Sequence, residues 1–140
     1  MKDLFQSLYG QFAATSGTPP VNTAIYNDLG GQLFNTFAPQ GTNYPFAVFQ
    51  LVSDVPDWTF SDDEENIIVQ FNIFDNSESS LNICNYFSDL DAIYHQAILT
   101  LTDYECIYCF RELSHLLRDN ETEGGIWQYM VQYRILLQKN

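Results

Sequence analysis

Basic residues are scarce in this sequence. Only five of the 140 residues are Lys or Arg, against 18 Asp or Glu, which gives a formal net charge of −13. Proteins that neutralise DNA phosphates need several clustered Lys or Arg side chains, and anionic membrane surfaces attract proteins through the same residues. The composition therefore disfavours direct binding to nucleic acid or to a membrane.

The sequence also lacks a cysteine framework, a recognisable signal peptide and long apolar runs. Its three cysteines, an odd number, are typical of free thiols in a reducing compartment, so we expect synthesis in a cytoplasm. No stretch approaches the length of a membrane span. Hydrophobic residues make up 46% of the chain and aromatic residues 16%. We therefore expect one folded domain over residues 1–140 that needs no metal or disulfide.

Helical periodicity is present in two segments. Apolar residues recur at three- and four-residue steps over residues 3–14 and again over residues 80–98, which predicts two amphipathic helices. Between residues 15 and 22 the pattern is broken by Gly and Pro. Residues 24–29 are compatible with a short helix or a turn, ended by the pair Gly30 and Gly31.

Strand-like alternation accounts for most of the rest. The segments 46–53, 66–74 and 126–138 are predicted strands, and residues 32–38 and 99–117 are weaker candidates, the last of them bent or bulged. One helix between groups of strands is typical of an α+β fold. We predict a mostly antiparallel sheet of about four to five strands with two main helices packed on it.

Residues with catalytic or metal-binding chemistry are few and lie in no known motif. Cys106 and Cys109 form a CxxC pair, but in a strand positions i and i+3 face opposite sides, which disfavours a shared site. Cys84 and His115 could complete a four-ligand site only if folding brought them there. His95 is expected near the end of the second helix. Without a GxSxG, HExxH or P-loop pattern, we expect no catalytic, metal or cofactor site.

An acidic segment over residues 54–65 is the main candidate for an interaction site. It carries six carboxylates in twelve residues, without the glycine and ligand spacing of an EF-hand. We interpret it as a long loop joining two strands, either simply solvated or functional, because a hairpin needs only a few residues to turn. The candidate interface residues are Asp54, Asp57, Trp58, Phe60, Asp62, Asp63, Glu64 and Glu65.

Several segments in order resemble the phage tail-terminator or tail-completion family. GGQLF at residues 30–34, followed by Ala38 and Pro39, resembles that family's Gly-Gly, strand, Ala-Pro segment. YPFAVF at 44–49 and the alternating strand at 67–74 resemble its next two strands, and GIWQYMVQYR at 125–134 resembles its last strand. The helix, then Leu99-Thr100, Arg111-Glu112 and LLRD at 116–119 follow in the family's order. Gln32 departs from it, since the family often has Arg or Lys there.

The resemblance, which covers nearly the whole chain, implies a structural role and no catalysis. Proteins of this family form a ring, often a hexamer, that caps the tail tube in the virion and joins it to the head-completion proteins. The implied partners are further copies of the chain, the tube protein and a head-completion protein, in a phage or a prophage. DNA would pass through the ring without being bound, and the acidic segment would face the channel or a neighbouring subunit.

Two other functions remain open from the sequence. The net charge fits an acidic DNA mimic that inhibits a DNA-binding enzyme, which should show a continuous acidic stripe on its surface. A small enzyme using Cys109 or His115 would need a pocket that holds a perturbed thiol or imidazole.

Overall fold

The computed structural model describes residues 2–58, 62–120 and 125–140. In chain order the elements are α1 (Lys2–Ala13), β1 (Thr15–Ser16), β2 (Val21–Asn22), α2 (Ala24–Asp28), β3 (Leu33–Asn35), β4 (Phe46–Trp58), β5 (Asp63–Asp75), α3 (Leu81–Tyr94), β6 (Tyr104–Asp119) and β7 (Ile126–Lys139). The predicted α+β class with a mostly antiparallel sheet is confirmed. No described helix is long and apolar enough to cross a membrane.

The main sheet has five strands in the order β3-β4-β5-β7-β6. Its four long strands pair antiparallel, and β3 pairs parallel with β4 through three residues. The strands β5 and β7 are central. Their residues alternate between a face that carries the helices and a face that carries none, which we call the open face. A separate two-stranded sheet pairs β1 with β2 inside the segment that sequence patterns leave irregular.

The core lies between the helices and one face of the sheet. Leu4, Leu8 and Phe12 repeat at four-residue steps along α1 and are buried. Phe71 from β5 is 1% exposed, and its ring centroid lies 4.6 Å from that of Tyr94 in α3. The Tyr94 hydroxyl donates to the Leu8 carbonyl at 2.6 Å, which ties α3 to α1. Alternate residues of β7 face the helices, with Val131, Tyr133, Ile135 and Leu137 buried and Trp127 and Tyr129 packed against the core.

The predicted long acidic loop is wrong. Strand β4 continues to Trp58 and β5 begins at Asp63, so most of residues 54–65 belongs to a β-hairpin. The extension is paired residue by residue, down to Trp58 opposite Asp63. Acidic residues and Pro56 are poor strand formers, and cross-strand pairing overrides that preference here. A register shift between Leu51 and Ser53 leaves Val52 as an extra residue at the start of the extension.

The predicted orientation of the two strand cysteines is also wrong. Strand β6 has register shifts between Cys106 and Tyr108 and between Arg111 and Leu113. The first shift inserts Ile107 as a bulge, so Cys106 pairs with Leu137 and Cys109 with Ile135 on the same face. Both thiols are therefore buried in the core.

Gln32, the departure from the family pattern, closes the loop before β4. Its Nε2 donates to the carbonyls of Asn43 and Pro45, each at 3.0 Å. Gln32 therefore holds the loop 36–45 against the start of β3. Its neutral amide makes these hydrogen bonds, so the contact needs no positive charge.

Candidate functional site

The extension of the β4–β5 pair carries most of the predicted interface residues. We call residues 54–58 and 62–65 the acidic hairpin. Asp54, Asp57, Trp58 and Asp63 are exposed, and Asp62, Glu64 and Glu65 are half-buried. The structure therefore brings the predicted residues together at one end of the sheet, on strands rather than on a loop. Phe60 lies outside the described residues.

Like charges face each other across the acidic hairpin. Asp57 pairs with Glu64, a cross-strand arrangement that repels when both carboxylates are charged. Burial raises the pKa of Glu65 and the charge of Asp54 raises it further, while one Glu65 oxygen, Oε2, is buried without a hydrogen-bond partner. Asp62 is held by the Gln138 amide, which donates to its Oδ1 at 2.7 Å. The hairpin thus concentrates negative charge at some cost to stability.

The central strands of the open face carry a network of neutral amides. Gln132 donates to Gln70 at 3.0 Å, Gln70 donates to Asn72 at 3.2 Å, and Gln128 donates to Asn72 at 3.0 Å. Gln50 continues the row, opposite Gln70 in the sheet register. The side chains of Gln70, Asn72, Gln128 and Gln132 hydrogen-bond to one another, so the centre of the open face is polar but uncharged.

Strand β6 adds apolar surface to the same side of the molecule. Phe110, Leu113 and Leu117 are between 42% and 50% exposed, and the Phe110 ring stacks on Tyr108 at a centroid distance of 4.9 Å. The only base among the described residues of this face of β7 is Arg134, which forms an ion pair with Glu112 at 2.8 Å. Among the residues that the structure describes, the open face therefore has no Lys or Arg outside an ion pair.

An apolar groove runs between α1 and the edge of the sheet. Its volume is about 680 Å³, and its apolar lining comes from Phe5, Tyr9, Leu33 and Phe49, with Lys2 also in the lining. Its lining contains no acidic side chain. The helical periodicity of residues 3–14 predicts an apolar stripe but does not reveal the groove. That stripe is wider than the surface that α1 buries, and Tyr9 on it remains 42% exposed.

The candidate catalytic side chains are engaged in structural roles. Burial raises the pKa of Cys109 to about 12, with Cys106 and Asp91 adding to the shift, so the thiol stays protonated at neutral pH. His95 ends α3, and its Nδ1 accepts from the Arg111 backbone N–H at 3.0 Å. The Asp91 carboxylate accepts from Tyr133 at 2.8 Å and from Arg111 at 3.1 Å.

His115 is exposed on β6, where it pairs with Met130, and is not grouped with the cysteines. Within the described ranges, no three His, Cys, Asp or Glu side chains are placed to hold a metal ion. These described side chains hydrogen-bond and form an ion pair within the chain, and none of them is arranged as an activated nucleophile.

A carboxyl pair between α2 and α3 was missed by sequence reasoning. The pKa of Asp28 is raised to about 7, mainly by burial and in addition by a hydrogen bond to Asp89 and by the charge of Asp89. One Asp28 oxygen, Oδ2, is otherwise buried without a partner. Since the two residues are far apart in the sequence and lie in no motif, only the packing of the helices reveals the pair.

The fold is that of a known virion component. A chain in the structure titled "Virion of native gene transfer agent (GTA) particle" matches with a TM-score of 0.77 at 9% sequence identity, covering 98% of this chain and 96% of that chain. No protein-family model matches the sequence. No curated protein matches it either. At 9% identity, the two chains share the fold over almost their entire lengths.

Proposed function

We propose that this protein is a structural component of a phage-like virion. The observation that carries the proposal is the fold, which matches a chain of a gene transfer agent virion from end to end. The side-chain arrangement agrees with it. The thiols of Cys106 and Cys109 are buried, which raises the pKa of both, and among the described residues the Asp91 carboxylate accepts structural hydrogen bonds from Tyr133 and Arg111.

The specific role that we propose is that of tail terminator. Copies of the chain form a ring, often a hexamer, that caps the tail tube, stops its growth and contacts the head-completion protein. The resemblance of the sequence segments to that family supports this role, and the end-to-end fold match is compatible with it. The protein acts in the virion tail after synthesis in the host cytoplasm.

The charge distribution suits a ring through which DNA passes. Carboxylates repel phosphates, whereas clustered Lys and Arg would retain them in a salt-dependent way. The acidic hairpin supplies carboxylates, the open face supplies neutral amides, and its Arg134 is neutralised by Glu112. We propose that these surfaces face the channel or a neighbouring subunit.

A DNA mimic is less well supported. Such an inhibitor should carry acids in a continuous stripe, but the open face alternates amides with apolar side chains such as Phe110 and Leu113. The acids of the hairpin are confined to one end of the sheet.

Electron microscopy of the protein mixed with its tail tubes tests the proposed role. We expect rings at one end of each tube and tubes of limited length. The Phe37→Ala variant changes an exposed aromatic residue away from the hairpin. It serves as a control for surface changes and should cap tubes as the parent protein does. Tubes that grow without limit and carry no cap at any protein concentration would contradict the terminator role.

A further inference from the structure

We propose that the groove beside α1 receives the acidic hairpin of a second copy of this chain, with Trp58 as the anchoring side chain. The proposal deepens the ring assembly proposed above and rests on it for ring closure. The contact itself follows from the two surfaces and can be tested without a tail tube.

The hairpin presents an unusual side chain for a solvent-exposed strand end. Trp58 is 75% exposed, more than any other large hydrophobic residue among those described. It lies next to Asp57 and opposite Asp63, so a large apolar ring is set among carboxylates. Tryptophan is enriched among residues that dominate binding energy at protein interfaces, where it fills a pocket on the partner.

The groove has the complementary properties. Its walls are aromatic and aliphatic, from Phe5, Tyr9, Leu33 and Phe49, and its volume of about 680 Å³ accommodates an indole ring. Pockets that bind compact ligands are usually of this size and are mostly apolar. Leu33 and Asn35 of the groove lining belong to β3, a three-residue strand at the edge of the sheet, so a second chain can approach the groove from that edge.

The charge of the groove lining favours an acidic segment as the bound partner. The lining of the groove has no acidic side chain in a chain with 18 acidic residues, and it includes Lys2, one of only five bases. Arg111 and Arg134 form ion pairs within the chain, whereas Lys2 is an exposed residue of the groove lining. Asp63 is the cross-strand partner of Trp58 and lies on the same face of the hairpin. A hairpin that places the Trp58 ring on the apolar walls therefore brings Asp63 towards Lys2.

The contact is head-to-tail, because the hairpin and the groove are different surfaces. Each copy that inserts its hairpin leaves its own groove open for the next copy. Such a contact closes only as a ring or continues as a filament. It therefore supplies the kind of contact that the proposed tail ring needs.

Cross-linking between two single-cysteine variants tests the contact directly. In a Cys84→Ser background, the exposed native thiol is removed while Cys106 and Cys109 stay buried. One preparation carries Asp57→Cys, which keeps Trp58, and the other carries Gly10→Cys in the groove lining, where an added Cβ meets nothing within 4 Å. We expect a short bismaleimide to join the mixed copies into dimers. Asp57→Cys mixed with Phe37→Cys, outside both surfaces, should give none. Absence of the first cross-link, both in concentrated solution and on tube ends, would overturn the proposal.

Substitution of the anchor gives an independent measurement. Trp58→Ala should weaken self-association by about 30-fold or more, as truncation of a central interface aromatic does. Phe37→Ala is the matched control, since Phe37 is 73% exposed. Lys2→Glu and Asp63→Lys should each weaken association, and the double variant should recover it. Sedimentation equilibrium measures all of these constants.

The outcomes separate this contact from the tail role. If rings cap tubes but Trp58→Ala leaves them unchanged, the contact is wrong and the tail role stands. If the cross-link forms but tubes are never capped, the contact stands and the tail role is wrong. If Gly10→Phe blocks self-association while Trp58→Ala does not, a segment of the second copy other than the acidic hairpin fills the groove. The proposal then fails.

Discussion

At the scale of single residues, Asp28 gives the fold a dependence on pH. Its pKa is raised from 3.8 to about 7, mainly by burial and further by Asp89. A raised pKa means that the folded state holds this proton more tightly than the unfolded state. The resulting stability is complete below about pH 4 and is lost as the pH rises through about 7.

Asp28→Asn should therefore flatten the pH dependence of the melting temperature. The parent should lose stability between pH 4 and pH 8, and the variant should lose less and melt higher than the parent at pH 8, because it carries no charge to bury. Thermal unfolding followed by circular dichroism measures this. Glu78→Gln, at an exposed position, is the control and should follow the parent. Parallel curves for parent and Asp28→Asn would refute the assignment.

Phe71 is the residue at which a charge should be least tolerated. It is 1% exposed and contacts both Tyr94 and Tyr133, with ring centroids at 4.6 and 5.7 Å. Phe71→Asp should cost several kcal/mol, because a buried charge finds no partner there. Phe71→Leu keeps the site apolar and should cost about 1 kcal/mol. Urea denaturation and the soluble fraction measure both, and a Phe71→Asp protein as stable as the parent would contradict the core assignment.

At the scale of elements, the bulge in β6 determines thiol reactivity. It turns Cys106 and Cys109 to the same buried side, whereas Cys84 on α3 is exposed. Burial raises the pKa of both buried thiols, to about 12 for Cys109, so neither forms an appreciable thiolate at pH 8.

Iodoacetamide at pH 8 should therefore add one group to the folded protein and three to the denatured protein. Intact-mass spectrometry counts the adducts. The Cys84→Ser variant should remain unmodified while folded. Rapid modification of Cys109 in that variant would show that the thiol is accessible and that the bulge does not bury it.

The helices and strands that the sequence predicted are those whose regularly spaced apolar residues are the residues buried in the core. Strands β5 and β7 alternate apolar and polar residues, and α1 and α3 repeat at helical spacing, so each was predicted with an error of a few residues. The acidic hairpin was missed because its pairing comes from the partner strand and not from the preferences of Asp, Glu and Pro56.

Other features depend on contacts that no single segment encodes. A bulge shifts by one residue every side chain beyond it, which is why the CxxC orientation was wrong. The parallel pairing of β3 with β4 and the Asp28–Asp89 pair join residues whose proximity only the assembled fold creates. The candidate interface residues were identifiable from charge and from Trp58, but the groove that we propose as their partner was not.

At the scale of the whole molecule, the net charge of −13 opposes compactness. Salt screens repulsion between exposed charges over about 8 Å at physiological ionic strength. The melting temperature should therefore rise when low-salt buffer is replaced by buffer of physiological ionic strength.

A charge-neutralised variant makes this prediction specific. Replacing Asp54, Asp57 and Asp63 by Asn, and Glu64 by Gln, removes four negative charges, including the facing pair of Asp57 and Glu64. This variant should melt higher than the parent in low salt and respond less to added salt. Differential scanning calorimetry measures both shifts. An equal salt response in both proteins would place the repulsion elsewhere on the surface.

The strand order also constrains the sequence of folding events. Strand β7, the last in chain order, lies between β5 and β6, so the sheet cannot grow outward from its earlier strands. The hairpin of β6 and β7 must form and then dock on β5, closing a long loop that includes α3. Such non-local pairing is slow. Until that docking occurs, β5 has an unpaired edge that other chains can pair with. Newly made protein should therefore aggregate most readily before β7 has paired with β5.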